Sequence, residues 1–260
     1  MRPLLLVVIF TGLGLGAPPA IDFFVVNGSD ALTAEFPYMV SLRTRSGTHT
    51  CGATIIASRW VLTAAHCFLT RNPDDYNVQY GTNVISKDGD SVMKIRRIIC
   101  HEGYDDNNQF IHDIALIELE QSLEFDVFVN AVRLPQAFEF TQGGLEGQLV
   151  GWGMNATVGG VIQTHLQKVD LETMTDDECR KLHFDKIHTT NICAGVKEGG
   201  KGQCTGDSGG PLLVNGVQVG IVSWSVKPCT IAPYPGVFTE VSHYIDWIRL
   251  HIGLALEGGI

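Results

Sequence analysis

Short apolar runs alternate with turn-forming residues along most of the chain. "YMVSLR" (Tyr38–Arg43), "ATIIAS" (Ala53–Ser58), "DIALIELE" (Asp113–Glu120), "GQLVGWG" (Gly147–Gly153), "PLLV" (Pro211–Val214) and "VQVGIVSW" (Val217–Trp224) have the length and composition of strands. With 29 glycines to supply the breaks, this spacing predicts an all-β architecture, a sandwich or a pair of barrels. Helical periodicity is credible only near the end. In "VSHYIDWIRLHI" (Val241–Ile252), Val241, Tyr244, Ile245, Ile248 and Ile252 fall on one face, which predicts a C-terminal helix. "NAVRLP" (Asn130–Pro135) reads as a connector between two halves. No sequence repeat or low-complexity segment interrupts the pattern.

The first residues break it. Arg2 followed by "LLLVVIF" (Leu4–Phe10), with Gly14 and Gly16 placed for cleavage, has the organisation of an export signal over residues 1–16. The apolar run is too short to span about 30 Å of hydrocarbon, so no membrane anchor is expected there. The 260 residues suffice for one large β domain or two smaller ones, and 45% hydrophobic with 18% charged residues is ordinary globular composition. The formal charge is −10 and the only dense basic cluster is Lys94, Arg96 and Arg97, which argues against nucleic acid as a partner. The seven cysteines include no C-x-x-C pair, so structural zinc is not expected. In an exported chain they are better read as disulfides, with one cysteine left over.

The chemistry concentrates in "GKGQCTGDSGGP" (Gly200–Pro211). Glycines on both sides of Ser208 let consecutive N–H groups face one point, and Pro211 ends the freedom by opening a strand. A serine hydroxyl beside such a nest has a nucleophile and oxyanion donors together. It needs a base and an acid to orient that base. His66, at the end of "VLTAAHC" (Val61–Cys67), and Asp113, opening a strand that would bury it, supply the two types.

"LTAAHC", "HDIALI", "GWG" and "GDSGGP", in that order, resemble the chymotrypsin-type (trypsin-like) serine proteases, and the resemblance extends from Val25 to about Ile252. It implies two six-stranded antiparallel β-barrels and a C-terminal α-helix, with the active site in the cleft between the barrels. The expected division is a signal peptide over 1–16, an activation propeptide over 17–24, barrel 1 over about 25–132, barrel 2 over about 133–240, a helix over about 241–252 and a tail over 253–260. By the same resemblance His66 is the general base and then acid, Asp113 holds its tautomer, Ser208 is the nucleophile, and the N–H groups of Gly206 and Ser208 form the oxyanion hole. The disulfides would be Cys51–Cys67, Cys179–Cys193 and Cys204–Cys229. Cys100 is left as a buried free thiol, or alternatively as an intermolecular bridge.

"FFVVNG" (Phe23–Gly28) resembles the family's activation site. Cutting between Phe24 and Val25 would free an α-amine to pair with Asp207, so the intact chain is expected to be a zymogen. The departure is Phe24, where the family commonly has Arg or Lys. In the substrate pocket, Gly202 stands where a trypsin-like enzyme would have Asp, with Gln203 beside it and Ser225 and Gly236 as walls. Ser223, Trp224 and Ser225 would present an open edge to the substrate backbone. The expectation is a deep, uncharged, fairly wide pocket preferring Phe, Tyr, Leu or Met before the scissile bond, with an elastase-like taste for small apolar residues as the alternative. A non-catalytic binding homologue is the remaining reading.

Asn155-Ala156-Thr157 is a candidate glycosylation site, and Asn27-Gly28-Ser29 a weaker one. Thr82 stands where a calcium-binding loop would carry an acid, so no metal is expected, and no cofactor. The expected partners are protein or peptide substrates and proteinaceous protease inhibitors, with no membrane, for a secreted extracellular monomer.

Overall fold

The computed structural model describes residues 26–86, 91–156 and 159–253. The segment containing Phe24, Val25 and the candidate export signal lies outside the described residues, as does Thr157.

A two-residue strand, β1 (Ser29–Asp30), belongs to the second barrel. The first barrel follows: β2 (Met39–Thr44), β3 (His49–Ala57), β4 (Trp60–Thr63), β5 (Tyr76–Gln79), β6 (Val92–Cys100) and β7 (Ala115–Leu119), closed in the order β2-β3-β4-β7-β6-β5. The second comprises β8 (Glu146–Gly151), β9 (Gln167–Thr173), β10 (Asn191–Gly195), β11 (Pro211–Val214), β12 (Val217–Trp224) and β13 (Gly236–Glu240). Its sheet runs β9-β10-β13-β12-β11-β8, and pairing of β8 with β9 closes it. The expected architecture of two six-stranded antiparallel barrels is therefore present.

The period of two is clearest in β9, where Gln167, Val169, Leu171 and Thr173 turn inward while Asp170 and Glu172 face solvent. By contrast β7, Ala-Leu-Ile-Glu-Leu, is buried throughout. Burying each Leu, Ile or Val contributes roughly 1.5–3 kcal/mol, and Leu42, Ile55, Leu62, Leu116 and Ile117 of the first barrel are completely buried.

The connector does join the halves. Val132 N–H donates to the Ile55 carbonyl at 2.9 Å, and the next carbonyl, of Arg133, accepts from Gln218 N–H at 2.9 Å. The C-terminal segment begins as a 3₁₀ turn, Val241–Tyr244, and continues as an α-helix over Ile245–Ile252. Its Val241, Tyr244, Ile245 and Ile248 pack into a core cluster that joins first-barrel residues such as Leu62 and Leu116 to second-barrel residues such as Leu213 and Ile221. A second helix, α1 (Asp176–Leu182), was not legible from periodicity because seven residues give too little of it. Its signal was Thr175-x-x-Glu178, a capping box with both reciprocal bonds formed. The helix after β13 is α2 (Ile245–Ile252).

All three disulfides form as the resemblance implied, and Cys100 is free and buried among Ala65, Ala115 and Tyr104.

Candidate active site

The site assembles at the seam of the two barrels. His66 rides on a 3₁₀ turn, Ala65–Cys67, directly after β4, and the Cys51–Cys67 bridge ties that turn to β3. Asp113 immediately precedes Ile114 and β7 and is wholly buried. Its carboxylate accepts three hydrogen bonds: from His66 N–H at 2.9 Å, from His66 Nδ1–H at 2.7 Å, and from the Ser223 hydroxyl at 2.5 Å. Its backbone carbonyl accepts from the Thr239 hydroxyl at 2.8 Å. A carboxylate only accepts, so Nδ1 of His66 must carry the proton and Nε2 is left with a lone pair, the tautomer a general base needs. Phe110 stands edge-on to the His66 ring at 5.9 Å.

Ser208 lies in the loop from Cys204 to Gly210, wedged between barrels. The Ser208 carbonyl accepts from Gly52 N–H of β3 at 2.8 Å, and Gly209 N–H donates to Val222 of β12 at 2.9 Å. Gly209 has φ 76°, and a Cβ there would collide with the Thr63 hydroxyl and lie 2.6 Å from the Gly52 carbonyl oxygen, so only glycine fits. Within the loop, the N–H groups of Asp207 and Gly210 bond to the Cys204 and Asp207 carbonyls. Those of Gly206 and Ser208 have no carbonyl partner among the described residues, which is the state an oxyanion hole requires. The Ser208 side chain is half-buried at the surface of the cleft.

Two residues that sequence reasoning did not place here support this loop. The Nε2 of His49 bonds the Gly206 carbonyl at 3.0 Å. That nitrogen must be the donor, so Nδ1 accepts from the Ser41 hydroxyl at 2.8 Å. The pair pins the orientation of the Gly206 peptide, and burial holds the His49 imidazole below its ordinary pKa. Neither residue lies in a recognisable motif, so no local signal marked them. Ser223 was expected at the substrate edge, and its hydroxyl is in addition a ligand of Asp113.

Asp207 is fully buried, and its carboxylate accepts from Gly153 N–H at 2.8 Å and Cys204 N–H at 2.9 Å. Burial pushes its pKa up to about 7 despite these two bonds and the distant charge of Lys227. No cation lies within ion-pair distance of it among the described residues.

The pocket is lined by Gly195, Val196, Gly199, Lys201, Gly202, Gln203, Ser225, Thr230, Tyr234, Pro235 and Gly236; Lys201 is the one charged residue among them, and none is a carboxylate. It is not wide. Gln203 folds inward, buried, and its carboxamide donates to the Trp224 carbonyl at 2.8 Å. A Cβ on Gly236 would lie 2.7 Å from Gln203 Oε1 and 2.8 Å from Cδ, so the carboxamide fills the space that a bare Gly236 leaves open. A void of about 10 Å³ remains. The width inferred from small walls was offset by the one long side chain beside them. Trp224 and Ser225 are half-buried at the end of β12. Asn155 is described, and its side-chain carbonyl accepts from Val161 N–H at 3.1 Å.

A buried acid bonded to a histidine, and a serine in a glycine-rich loop at the seam of two closed barrels, are the residue types that serine hydrolases use for acyl transfer. Residues 25–248 match the Trypsin family. The chain is 36% identical over 253 residues to "Trypsin II-P29" of Gallus gallus, covering 96% of this chain and 98% of that one. It is 34% identical over 249 residues to "Trypsin I-P1" of the same species, covering 94% and 96%, and 37% identical over 231 residues to "Trypsin Blo t 3" of Blomia tropicalis, covering 87% and 85%. The chain belongs to the trypsin family of serine proteases.

Proposed function

We propose that this protein is a secreted serine endopeptidase, made as a zymogen, that cuts after an uncharged side chain. The observation that carries the reading is the bonding of Asp113 to His66 in the tautomer that leaves Nε2 free. In the mechanism this supports, Ser208 Oγ attacks the scissile carbonyl and its proton passes to His66 Nε2. The oxyanion accepts from the N–H groups of Gly206 and Ser208, while Asp113 stays ionised against the imidazolium. The amine then leaves with the proton from Nε2. Water, deprotonated by the same nitrogen, attacks the acyl-enzyme and releases Ser208. Secretion is supported by the export-signal pattern of residues 1–16 and by three disulfides.

The zymogen reading rests on Asp207. A buried carboxyl raised to about 7 has no close cation among the described residues, and an α-amine at Val25, freed by cleavage after Phe24, would supply one. Proteinaceous inhibitors that occupy the cleft as substrates do are the expected regulators.

On specificity, the relatives' names point to basic residues, while the pocket points elsewhere. Burying a Lys or Arg head beside Gly202 and Gln203, with no carboxylate to pair it, costs several kcal/mol. The missing charge alone favours Phe, Tyr, Leu or Met. The inward carboxamide of Gln203 favours the second reading, shorter side chains. The test compares kcat/KM for peptides with Phe, Leu, Ala and Arg before the scissile bond. Ala should lead; fastest cleavage after Arg would contradict the pocket assignment.

A further inference from the structure

Only one end of the Gln203 carboxamide is satisfied. The side chain is 4% exposed, and its Nε2 donates to the Trp224 carbonyl at 2.8 Å, with the Val237 carbonyl at 3.5 Å. Its Oε1 is buried with no hydrogen-bond partner among the described residues. Native proteins rarely leave a buried amide oxygen in that condition, and such a group invites a ligand. The oxygen lies against Gly236, a second lining residue of the pocket, where an added Cβ would strike it first, at 2.7 Å. Thr230, another lining residue, has a hydroxyl that is likewise buried and without a partner among the described residues. The void of about 10 Å³ that these residues help to line has room for at most about one water.

We propose that Gln203 Oε1 is a specificity-determining acceptor, and that the pocket selects a short side chain carrying a hydrogen-bond donor (Ser, Thr or Asn) before the scissile bond. The inference rests on the serine-protease reading above and sharpens its pocket. Size follows from the carboxamide itself. An aromatic or long aliphatic side chain has to expel Gln203 and break its bond to Trp224. Polarity follows from the orphan oxygen. An apolar side chain of fitting shape would seal Oε1 away from water, whereas a donor of the same shape pairs it, and sites built on a buried polar group discriminate against analogues that leave it unpaired. Thr230 adds a hydroxyl able to donate or accept, which suits the two-sided amide of Asn.

The experiment uses the secreted chain after activation by limited proteolysis, with active sites counted by an organophosphonate. Two shape-matched pairs are compared in otherwise identical peptides: Thr against Val, and Asn against Leu. The expected result is kcat/KM higher for Thr and Asn by about tenfold, the worth of one recovered hydrogen bond. In Gln203→Met, which keeps length and loses the acceptor, the preference should vanish or invert. In Gln203→Ala the emptied slot should raise turnover of a Phe substrate. Val and Leu equalling or outrunning Thr and Asn in the wild type would overturn the proposal, as would survival of the ratio in Gln203→Met. If Gln203→Met takes up no phosphonate, the wild-type ratio decides alone. Should the wild type itself take up no phosphonate and cleave none of the peptides, the protease reading falls rather than the acceptor.

Discussion

The hydroxyl of Ser223 donates to Oδ2 of Asp113 at 2.5 Å, tying β12 of the second barrel to the buried acid of the first. The bond shares the oxygen that also receives His66 Nδ1–H, so Ser223 sets how much negative charge the imidazole faces. Hydrogen bonds to an ionised group are worth about 1.5–3 kcal/mol. Removing this one in Ser223→Ala should loosen the hold of Asp113 on His66, with kcat/KM on a short ester falling about tenfold. A lowered Tm with unchanged kcat/KM would mean that the contact is only structural.

Acid sensitivity is expected from the opposite wall of Asp113. His101 and His112 stack with ring centres 4.6 Å apart, Trp247 packs on His101, and the Tyr244 hydroxyl meets His112 Nδ1 at 2.9 Å. Burial holds both imidazoles below their ordinary pKa; the neighbouring His112 and His251 push His101 the same way, and Glu102 opposes. A histidine whose pKa is lowered by folding contributes stability that is full above about pH 6.5 and is lost as the pH falls below it. His101→Phe keeps the stack and removes the titration. In a Ser208→Ala background, which prevents self-digestion, its urea midpoint should gain on the parent below pH 6 and run parallel above pH 7. Parallel curves throughout would refute this.

The sign reverses for Asp207. Its folded pKa of about 7 is raised above the unfolded value of 3.8, so in the intact chain its contribution is present below about pH 4 and lost as the pH rises toward 7. An α-amine paired with it after cleavage would cancel that loss. With Ser208→Ala protein, the Tm advantage of the chain cut before Val25 over the intact chain should therefore grow between pH 4.5 and 7.5. A constant difference would remove Asp207 from the activation switch.

Legibility in the sequence followed locality. His66, Asp113 and Ser208 each sit in a run of residues whose types announce a buried strand end or a glycine nest, and the strands alternate or run apolar as strands must. Ser223 reaches Asp113 across 110 residues and His49 reaches Gly206 across 157, through contacts made only once two barrels close. Neither side chain carries a pattern of its own. Gln203 was visible as a type but not as a direction. Whether it lay in the pocket or beside it depended on finding the carbonyls of Trp224 and Val237 as acceptors.

The central claim is that Ser208 is the nucleophile of an acyl-transfer site. An organophosphonate reacts only where an activated serine oxygen and oxyanion donors coincide. Intact-mass and peptide mapping of the activated protein should show one adduct, on Ser208, that is absent from His66→Ala and Ser208→Ala. Substrate turnover by Ser208→Ala should fall to the residual level, about 10³–10⁴ over water, that oxyanion binding alone provides. An unlabelled Ser208 in protein that still hydrolyses peptides, or a Ser208→Ala variant with wild-type turnover, would contradict the account.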